Sequence, residues 1–414
     1  MKITQLILLC LFTFSLTAQT DKAERLTQFI EQTLAATDHL TGLSVAITNP
    51  EGTLYAKGFG YADRAQQEMV TPKTSFYIAS CTKAYNGLLA SILAAEGQLE
   101  LSRPISSYRP FSSFERQDLF AGITVMDLLT HQSGLDNPYL STLLAYSGEY
   151  TDAQVLRLIE EETQANETGK AFAYTNFGYY LLDVLLQAEL GKSWRDLLQE
   201  KVFGPLDMEH TTAYASKVST PNEAGPFDGL YPDKLLPVYL RKVDATMHAA
   251  GGLMTTVEDA ARFLTCYLAP EQGPFPTAAV RQSYEKQVSA THEFTEAFNA
   301  DGYGLGWRTG AYAEQALVYH FGGYPGFFSS LSFMPEAGLG VAVLANNNIS
   351  GALAIRITQY AYDLYLGNEG TVKKHERQAA RQLKKQLRRY RKWESKHLSK
   401  MAKRTWQLTL PKAA

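Results

Sequence analysis

The stretch FYIASCTKAYNGLLASILAAEG carries a serine and a lysine three residues apart, Ser80 and Lys83, at the start of a predicted apolar helix. This spacing places both side chains on one face of the helix, within reach of each other. Free backbone N–H groups at a helix N-terminus favour a developing negative charge. A desolvated lysine loses affinity for its proton, so Lys83 can act as a base toward the Ser80 hydroxyl.

The same tetrad occurs a second time as Ser283-Tyr284-Glu285-Lys286, in a polar segment that is typical of a solvated helix face. Serine and lysine are both common residues, so the tetrad alone favours a structural interpretation over a catalytic one. Other residues must therefore decide whether either copy is catalytic.

A second candidate is Tyr174-x-Asn176 in AFAYTNFGYYLLDVLL, the single Tyr-x-Asn among 24 tyrosines. A phenol beside an ammonium group is expected to have a lowered pKa and to exchange protons with a serine. An asparagine amide can donate to and accept from a substrate amide. The alternative is that Asn176 caps the helix that follows and that Tyr174 is a packing residue.

A third candidate lies in YHFGGYPGFFSS, where His320, Gly322 and Gly323 end a predicted strand just before a tight turn. Glycines at such a position let a substrate approach the backbone closely and leave an N–H group exposed. A plain hairpin turn beside a strand histidine is the alternative. The eight histidines form no cluster with metal-ligand spacing, so the sequence predicts neither a metal nor a cofactor.

Taken in order, these three motifs resemble those of the class C β-lactamase and low-molecular-weight penicillin-binding protein family. The stretches LLTHQSGL, GPLDMEHT, AAGGLMTTVEDAARF and GYGLGW are also similar to that family. The resemblance covers roughly Phe29 to Leu366. It implies a β-lactamase/transpeptidase-like fold and a serine hydrolase that acts on a small-molecule or peptide acyl substrate.

The resemblance also implies a role for each motif residue. Ser80 would be the nucleophile of an acyl-enzyme, and Lys83 and Tyr174 would be the coupled pair that handles its proton. Asn176 would orient the substrate amide. The N–H groups of Ser80 and Gly323 would form the oxyanion hole, beside a substrate-binding strand that includes His320 and Gly322.

The third motif departs from the Lys-Thr-Gly that is usual in β-lactamases, because this chain has His320-Phe321-Gly322. Histidine titrates near neutrality, and phenylalanine has no hydroxyl. The loss of such donors should weaken carboxylate binding by roughly 1–3 kcal/mol each. We therefore expect an esterase or a D-amino-acid or D,D-peptidase-like enzyme that is weak on β-lactams. The alternatives are a slowly acylating penicillin- or peptidoglycan-binding protein without significant turnover, and an envelope-anchoring protein.

An antiparallel sheet flanked by helices is expected to position these motifs. The pattern predicts a helix that is capped by Asp21 and runs to about Ala36, a hairpin of GLSVAITN and TLYAKGFG, and a helix from about Ile349 to Leu366. Further helices are predicted to begin at capping boxes or near variants of them, at Thr124, Thr151, Ser193 and Thr256. Three late strands, ALVYHF, FFSSLSFM and LGVAVLAN, complete the sheet. The middle of the chain is a large, mainly helical insertion, so the fold class is α+β with a crevice between sheet and insertion.

The N-terminal sequence MKITQLILLCLFTFSLTAQ is typical of a secretory signal peptide that is cleaved after Ala18, with a retained anchor as the alternative. This predicts a signal peptide at 1–18, a catalytic domain at 19–368 and a basic helical tail at 369–414. Export across the inner membrane, to the periplasm, would follow. Of the remaining cysteines, Cys266 lies in an apolar helical stretch and is expected to be a buried free thiol, and Cys81 follows the candidate nucleophile.

The net charge of −3 conceals a strong asymmetry. Residues 371–414 contain 15 Lys and Arg against two acids, whereas the rest of the chain has 24 basic and 40 acidic residues. Ala379, Leu383, Leu387 and Tyr390 mark a narrow apolar stripe, which predicts a helix in this tail. One interpretation is attachment to an anionic envelope surface, and the other is a solvated linker helix or one that lies on the acidic body. Because export is predicted, no nucleic-acid partner is expected.

Overall fold

The computed structural model describes residues 2–37, 42–148, 150–167, 169–218, 223–231, 234–238, 240–291 and 298–401. Within these residues, helices cover both faces of one antiparallel sheet. Most of the remaining helices belong to the long stretch of sequence that separates the first two strands of this sheet from its later strands. The predicted α+β class, with a large helical insertion, is confirmed.

The strands, in chain order, are β1 Leu43–Asn49, β2 Gly52–Phe59, β3 Tyr61–Asp63, β4 Glu68–Met69, β5 Phe76–Tyr77, β6 Leu135–Asp136, β7 Gln164–Ala165, β8 Phe227–Tyr231, β9 Lys234–Pro237, β10 Met254–Thr255, β11 Val288–Ser289, β12 Asn299–Tyr303, β13 Arg308–Tyr312, β14 Gln315–Tyr324, β15 Phe327–Met334 and β16 Leu339–Ala345. The main sheet has the order β11-β12-β13-β14-β15-β16-β1-β2. The other strands form short antiparallel pairs outside it.

The helices are α1 Lys2–Thr37, α2 Thr82–Ala95, α3 Gln117–Phe120, α4 Val125–Leu129, α5 Pro138–Tyr146, α6 Asp152–Glu162, α7 Phe177–Leu190, α8 Trp194–Leu198, α9 Val257–Leu268, α10 Thr277–Tyr284, α11 Gly351–Leu366 and α12 Glu369–Met401. Several of them begin where the sequence predicts a cap. Thr124 and Thr151 form complete capping boxes, and the Ser193 and Thr256 side chains accept the N–H three residues ahead.

The N-terminal hairpin joins the late strands, as predicted, because β1 pairs with β16. Leu43 lies opposite Ala345, and Ile47 lies opposite Val341. The sequence did not predict β11, β12 and β13, which extend the sheet beyond β14. These strands are short, and β12 reads NADGY, without the alternation or the β-branched residues that mark a strand.

Both faces of the sheet are buried, and alternate residues of each strand contribute to two cores. Val45 and Val343 pack on the face that is covered by α1, α11 and α12. Ala46, Ala342 and Leu344 pack on the opposite face, with α2, α9 and the helical insertion. The start of α2 packs in the core that contains Ala46, Ala342 and Leu344, so Ser80 lies on that side of the sheet.

Helix α1 is longer than predicted. It runs without interruption from Lys2 to Thr37, so Asp21 lies inside the helix and the prediction that Asp21 caps its start is wrong. The predicted cleavage site after Ala18 also lies within α1. Among the described residues, no helix has both the length and the apolar character needed to cross a membrane.

Helix α12 forms the described part of the basic tail, whose residues 402–414 lie outside the described residues. Three residues of the predicted apolar stripe, Ala379, Leu383 and Leu387, are buried against α1 and α11. The fourth, Tyr390, is on the predicted helix but 47% exposed. The packed face of α12 thus ends at Leu387.

Candidate active site

Ser80 lies in a single 3-10 turn, Ala79–Cys81, which leads directly into α2. Ala79 has a φ of +45°, a left-handed conformation that costs a residue with a side chain of order 1 kcal/mol or more. The turn is held by the Leu253 carbonyl, which accepts from the Ile78 N–H at 3.0 Å. Half-buried Ser80 is therefore presented on a strained turn at the helix start.

Lys83 is fully buried one turn into α2. Its Nζ lies 3.2 Å from Ser80 Oγ, 2.8 Å from Asn176 Oδ1 and 2.7 Å from the carbonyl oxygen of Ala250. Burial lowers the pKa of Lys83 well below 10.5, and the nearby Arg308 cation lowers it further. A neutral amine can donate its two N–H groups to the two carbonyl-type oxygens, which leaves its lone pair for the Ser80 hydroxyl.

Tyr174 lies three residues before α7, with the centre of its ring 4.9 Å from Lys83 Nζ. Although the side chain is 39% exposed, the surrounding protein raises the pKa of Tyr174 to about 12. The Ser80 hydroxyl and the charge of Arg308 oppose this rise without reversing it. The expected lowering of this pKa is therefore wrong, and Tyr174 is a protonated phenol in contact with Ser80 at neutral pH.

Asn176 occupies the N-cap position of α7, but its side chain makes no capping hydrogen bond. Its Oδ1 accepts from Lys83 instead, and the Thr175 hydroxyl accepts the N–H of Phe177 at 3.1 Å. Asn176 therefore links α7 to Lys83. The alternative interpretation, in which it is a simple capping residue, does not describe this geometry.

His320 is buried on β14, with Nε2 3.2 Å from the Tyr303 hydroxyl and Nδ1 2.7 Å from the Phe321 carbonyl. Burial lowers the pKa of His320 well below 6.5, and the Arg308 cation adds to the effect. The expectation that this histidine titrates near neutrality is therefore wrong. The Phe321 side chain packs in the core on the α1 side of the sheet, away from Ser80.

The two glycines of the third motif have different surroundings. A side chain on Gly322 would collide with the Ile78 carbonyl oxygen, so the missing Cβ lets β14 pack directly against the Ser80 turn. Gly323 is exposed, and nothing lies within 4 Å of the position that its Cβ would take. Among the described strands, β13 pairs with β14 only as far as Tyr319, and β15 pairs with β14 as far as Tyr324.

Cys81 also ties the turn that carries Ser80 to the sheet. Its thiol donates to the His320 carbonyl at 3.3 Å, and the Ser329 hydroxyl donates to Cys81 Sγ at 3.1 Å. Burial raises the pKa of Cys81 to about 12, so this thiol is inert. Cys81 and Cys266 are both free and buried, which confirms the prediction for Cys266.

The second Ser-x-x-Lys tetrad has no comparable arrangement. Ser283 is fully buried at the end of α10, where its hydroxyl donates to the Val280 carbonyl at 2.7 Å, so its prediction as a solvated residue is wrong. Lys286 instead pairs with Asp301 at 3.4 Å. Among the described residues, no group of His, Cys, Asp and Glu side chains could hold a metal ion.

Sequence reasoning missed three contributors to the site. Arg308 of β13 is buried, with its guanidinium carbon 5.4 Å from the centre of the Tyr174 ring, so the site contains a permanent cation. His131, at the end of α4, has its ring 4.4 Å from that of Tyr174. Both residues lie within or beside stretches that resemble the family, LLTHQSGL and GYGLGW, which is the signal that could have found them. Ala250 also lies in such a stretch, AAGGLMTTVEDAARF, but residue types do not show where its backbone carbonyl points.

Comparison with known proteins agrees with this geometry. A sequence model described as Beta-lactamase matches residues 26–364. The chain belongs to the beta-lactamase family. Protein flp of Staphylococcus aureus (strain MW2) is 27% identical over 330 residues, which are 79% of this chain and 64% of the relative. The unguisins hydrolase ungD' of Aspergillus campestris is 25% identical over 332 residues, 76% of this chain and 60% of the relative. The chain thus matches less than two thirds of the length of these curated relatives.

Solved structures show the same fold. An octameric penicillin-binding protein homologue from Pyrococcus abyssi has a TM-score of 0.69 at 26% identity, over 83% of this chain and 77% of that one. The D-amino acid amidase of Ochrobactrum anthropi SV3, complexed with L-phenylalanine amide, has a TM-score of 0.70 at 22% identity, over 85% of this chain and 99% of that one. The predicted family and the predicted β-lactamase/transpeptidase-like fold are both confirmed.

Proposed function

We propose that the protein is an exported serine hydrolase that forms an acyl-enzyme on Ser80 and cleaves esters or amide and peptide bonds. The observation that carries the proposal is the position of Lys83. Its buried Nζ has two carbonyl-type acceptors and the Ser80 hydroxyl as its neighbours. A neutral lysine in that position is a base aimed at one hydroxyl group.

The proposed reaction begins when Ser80 Oγ attacks the substrate carbonyl carbon and its proton passes to the Lys83–Tyr174 pair. The resulting oxyanion is stabilised by backbone N–H groups, for which those at the start of α2 and of exposed Gly323 are the candidates. Tyr174 then gives its phenolic proton to the leaving alcohol or amine and regains a proton from Lys83, which collapses the intermediate to an acyl-enzyme.

Water completes the cycle. When water attacks the acyl carbonyl, its proton passes to the Lys83–Tyr174 pair. The pair then returns a proton to the Ser80 oxygen as that oxygen leaves. Because Tyr174 is protonated at neutral pH, we assign it the donor role and Lys83 the acceptor role. Together the two groups behave as one titrating unit.

The choice of substrate class rests on the third motif. Neutral His320 offers no charge to a carboxylate, and the Phe321 side chain lies on the other face of the sheet. We propose an esterase or an enzyme similar to D-amino-acid and D,D-peptidases, weak on β-lactams. The likeness to the Ochrobactrum D-amino acid amidase makes D-amino acid amides suitable members of a test panel.

The test is steady-state and burst kinetics on short-chain p-nitrophenyl esters, D-amino acid amides and nitrocefin. We expect ester or amide turnover to exceed nitrocefin turnover by at least tenfold. Comparable rates on nitrocefin would contradict the substrate class. A stoichiometric burst without turnover on all three would favour a slowly acylating penicillin- or peptidoglycan-binding protein instead.

A further inference from the structure

Helix α12 presents a basic face, defined as Arg381, Lys384, Lys385, Arg388, Arg389 and Lys392. Their spacing places all six side chains on one side of the helix, and all six are exposed. With Ala36 of α1 and Ala380, they line a groove of about 680 Å³. None of the ion pairs that join described residues includes any of the six.

The way α12 is attached to the body explains why this face is open. The helix packs through its apolar side, where Val372, Ala379, Leu383 and Leu387 are buried with α1 and α11. Near its start, the acids Glu369 and Glu376 pair with Arg25. The tail therefore does not lie on the acidic body through its positive charges, and its cations are directed away from the packed side.

Two large aromatic side chains accompany these cations. Tyr390 and Trp393 are 47% and 60% exposed, beyond the last buried residue of the stripe. Exposed tryptophan and tyrosine beside lysine and arginine are typical of helices that lie in the interface of a bilayer.

We propose that the basic face of α12 is a docking surface for the headgroups of anionic phospholipids, with Trp393 inserted at the bilayer surface. The attraction is the sum of several cations near a negative surface, so it decreases as salt screens them. The docking surface is separate from Ser80, so hydrolysis does not depend on it.

The test is flotation of the full chain with vesicles of phosphatidylcholine alone or with 30% phosphatidylglycerol. We expect binding to the anionic vesicles only, reduced in 0.5 M salt. Arg388→Glu/Arg389→Glu should lower the partition coefficient by at least about fivefold for each charge removed. The matched control, Arg64→Glu/Lys73→Glu, reverses two exposed cations of the body and should bind as the parent does.

Tryptophan fluorescence provides the second measurement. The parent should show a blue shift with anionic vesicles that is lost in Trp393→Phe. Equal binding to neutral vesicles, equal binding of the two charge variants, or tighter binding to duplex DNA than to anionic vesicles at equal phosphate would each overturn the proposal. Every variant contains the same α1, so a difference between variants reports on α12.

A second, independent observation concerns His131. The residues before and after Tyr174 are both hydrogen bonded to His131. The Ala173 N–H donates to the His131 carbonyl at 2.9 Å, and the Thr175 N–H donates to His131 Nδ1 at 3.3 Å. The imidazole also contacts the Tyr174 ring, with 4.4 Å between the centres. One residue therefore fixes the backbone before and after Tyr174 and one side of its ring.

The state of His131 agrees with this arrangement. The side chain is buried, and burial lowers its pKa well below 6.5, with a further contribution from the Arg308 cation. Since Nδ1 accepts a backbone N–H, the ring proton is on Nε2. A φ of +59° places the residue in the left-handed region, which disfavours most side chains.

We propose that His131 is a positioning residue that sets the Tyr174 hydroxyl at Ser80. This rests on the proposed function. Asparagine offers Oδ1 near the place of Nδ1 and tolerates the left-handed conformation, whereas leucine does neither. His131→Asn should therefore keep most of kcat, and His131→Leu should lose about 100-fold in kcat with little change in KM.

A double-mutant cycle separates positioning from a general loss of structure. In a Tyr174→Phe background, His131→Leu should have no further effect on kcat, because the group that it positions is absent. Independent losses for the two substitutions, or equal losses for His131→Asn and His131→Leu, would overturn this assignment. If the parent chain forms no acyl-enzyme at all, the proposed function fails, and that outcome is visible before any variant is compared.

Discussion

Gly322 lies directly against the carbonyl oxygen of Ile78, so that strand β14 and the turn carrying Ser80 pack with no side chain between them. This contact sets how closely the strand approaches the nucleophile. The neighbouring Gly323 faces open space. Only Gly322 must therefore lack a side chain for this packing, and the adjacent Gly323 can serve as its control.

Gly322→Ala should force β14 away from the Ser80 turn. The overpacking is expected to cost about 1–3 kcal/mol of unfolding free energy and to reduce kcat/KM by at least 100-fold. Gly323→Ala should retain the melting temperature of the parent. Thermal melts and ester kinetics on both variants provide the measurement, and equal effects of the two substitutions would contradict the role given to the contact.

Arg308 should control the pH at which the enzyme gains activity. The deprotonated form of Lys83 is the reactive one, so activity rises as pH increases through the pKa of the lysine. Arg308 lowers that pKa, and its removal raises it. Arg308→Gln should therefore move the acid limb of kcat/KM to higher pH, measured between pH 5 and 9. Arg281→Gln, at an exposed residue on α10, is the control and should not move it.

Lys83 should also make stability depend on pH. Its pKa is low in the folded protein and 10.5 in the unfolded chain, so unfolding takes up a proton between those values. The unfolding free energy of the parent should therefore rise with pH relative to Lys83→Met, by up to about 1.4 kcal/mol per pH unit between pH 7 and 9. Denaturant titrations at both pH values measure this difference, and parallel curves for the two proteins would contradict a buried neutral lysine.

The sequence predicted the parts of the fold whose physical signals are local. The β1–β2 hairpin and strands β14 to β16 are apolar runs separated by turn residues, and helices α4 and α6 begin at capping boxes. Helix α1 and strand β12 were mispredicted for the same reason. A long helix can run through a good capping residue, and a short edge strand is stabilised by its neighbours rather than by its own residues.

The candidate site was predicted as a set of residues but not as an electrostatic environment. The pKa of Tyr174 was expected to be lowered but is raised, and the pKa of His320 was expected near neutrality but is lowered. The sequence shows which residue types are neighbours, but it does not show how deeply a group is desolvated. The Ala250 carbonyl that accepts from Lys83, and Arg308 behind Tyr174, enter through tertiary packing. Their effects could only be seen once the chain was folded.

The central claim is that Ser80 is the nucleophile, and covalent labelling tests it most directly. The full chain is treated with a fluorophosphonate probe, digested, and mapped by mass spectrometry. We predict one labelled peptide, modified on Ser80, with the label absent in Ser80→Ala and retained in the matched control Ser283→Ala. A label on Ser283, or undiminished labelling and ester turnover in folded Ser80→Ala, would contradict the account.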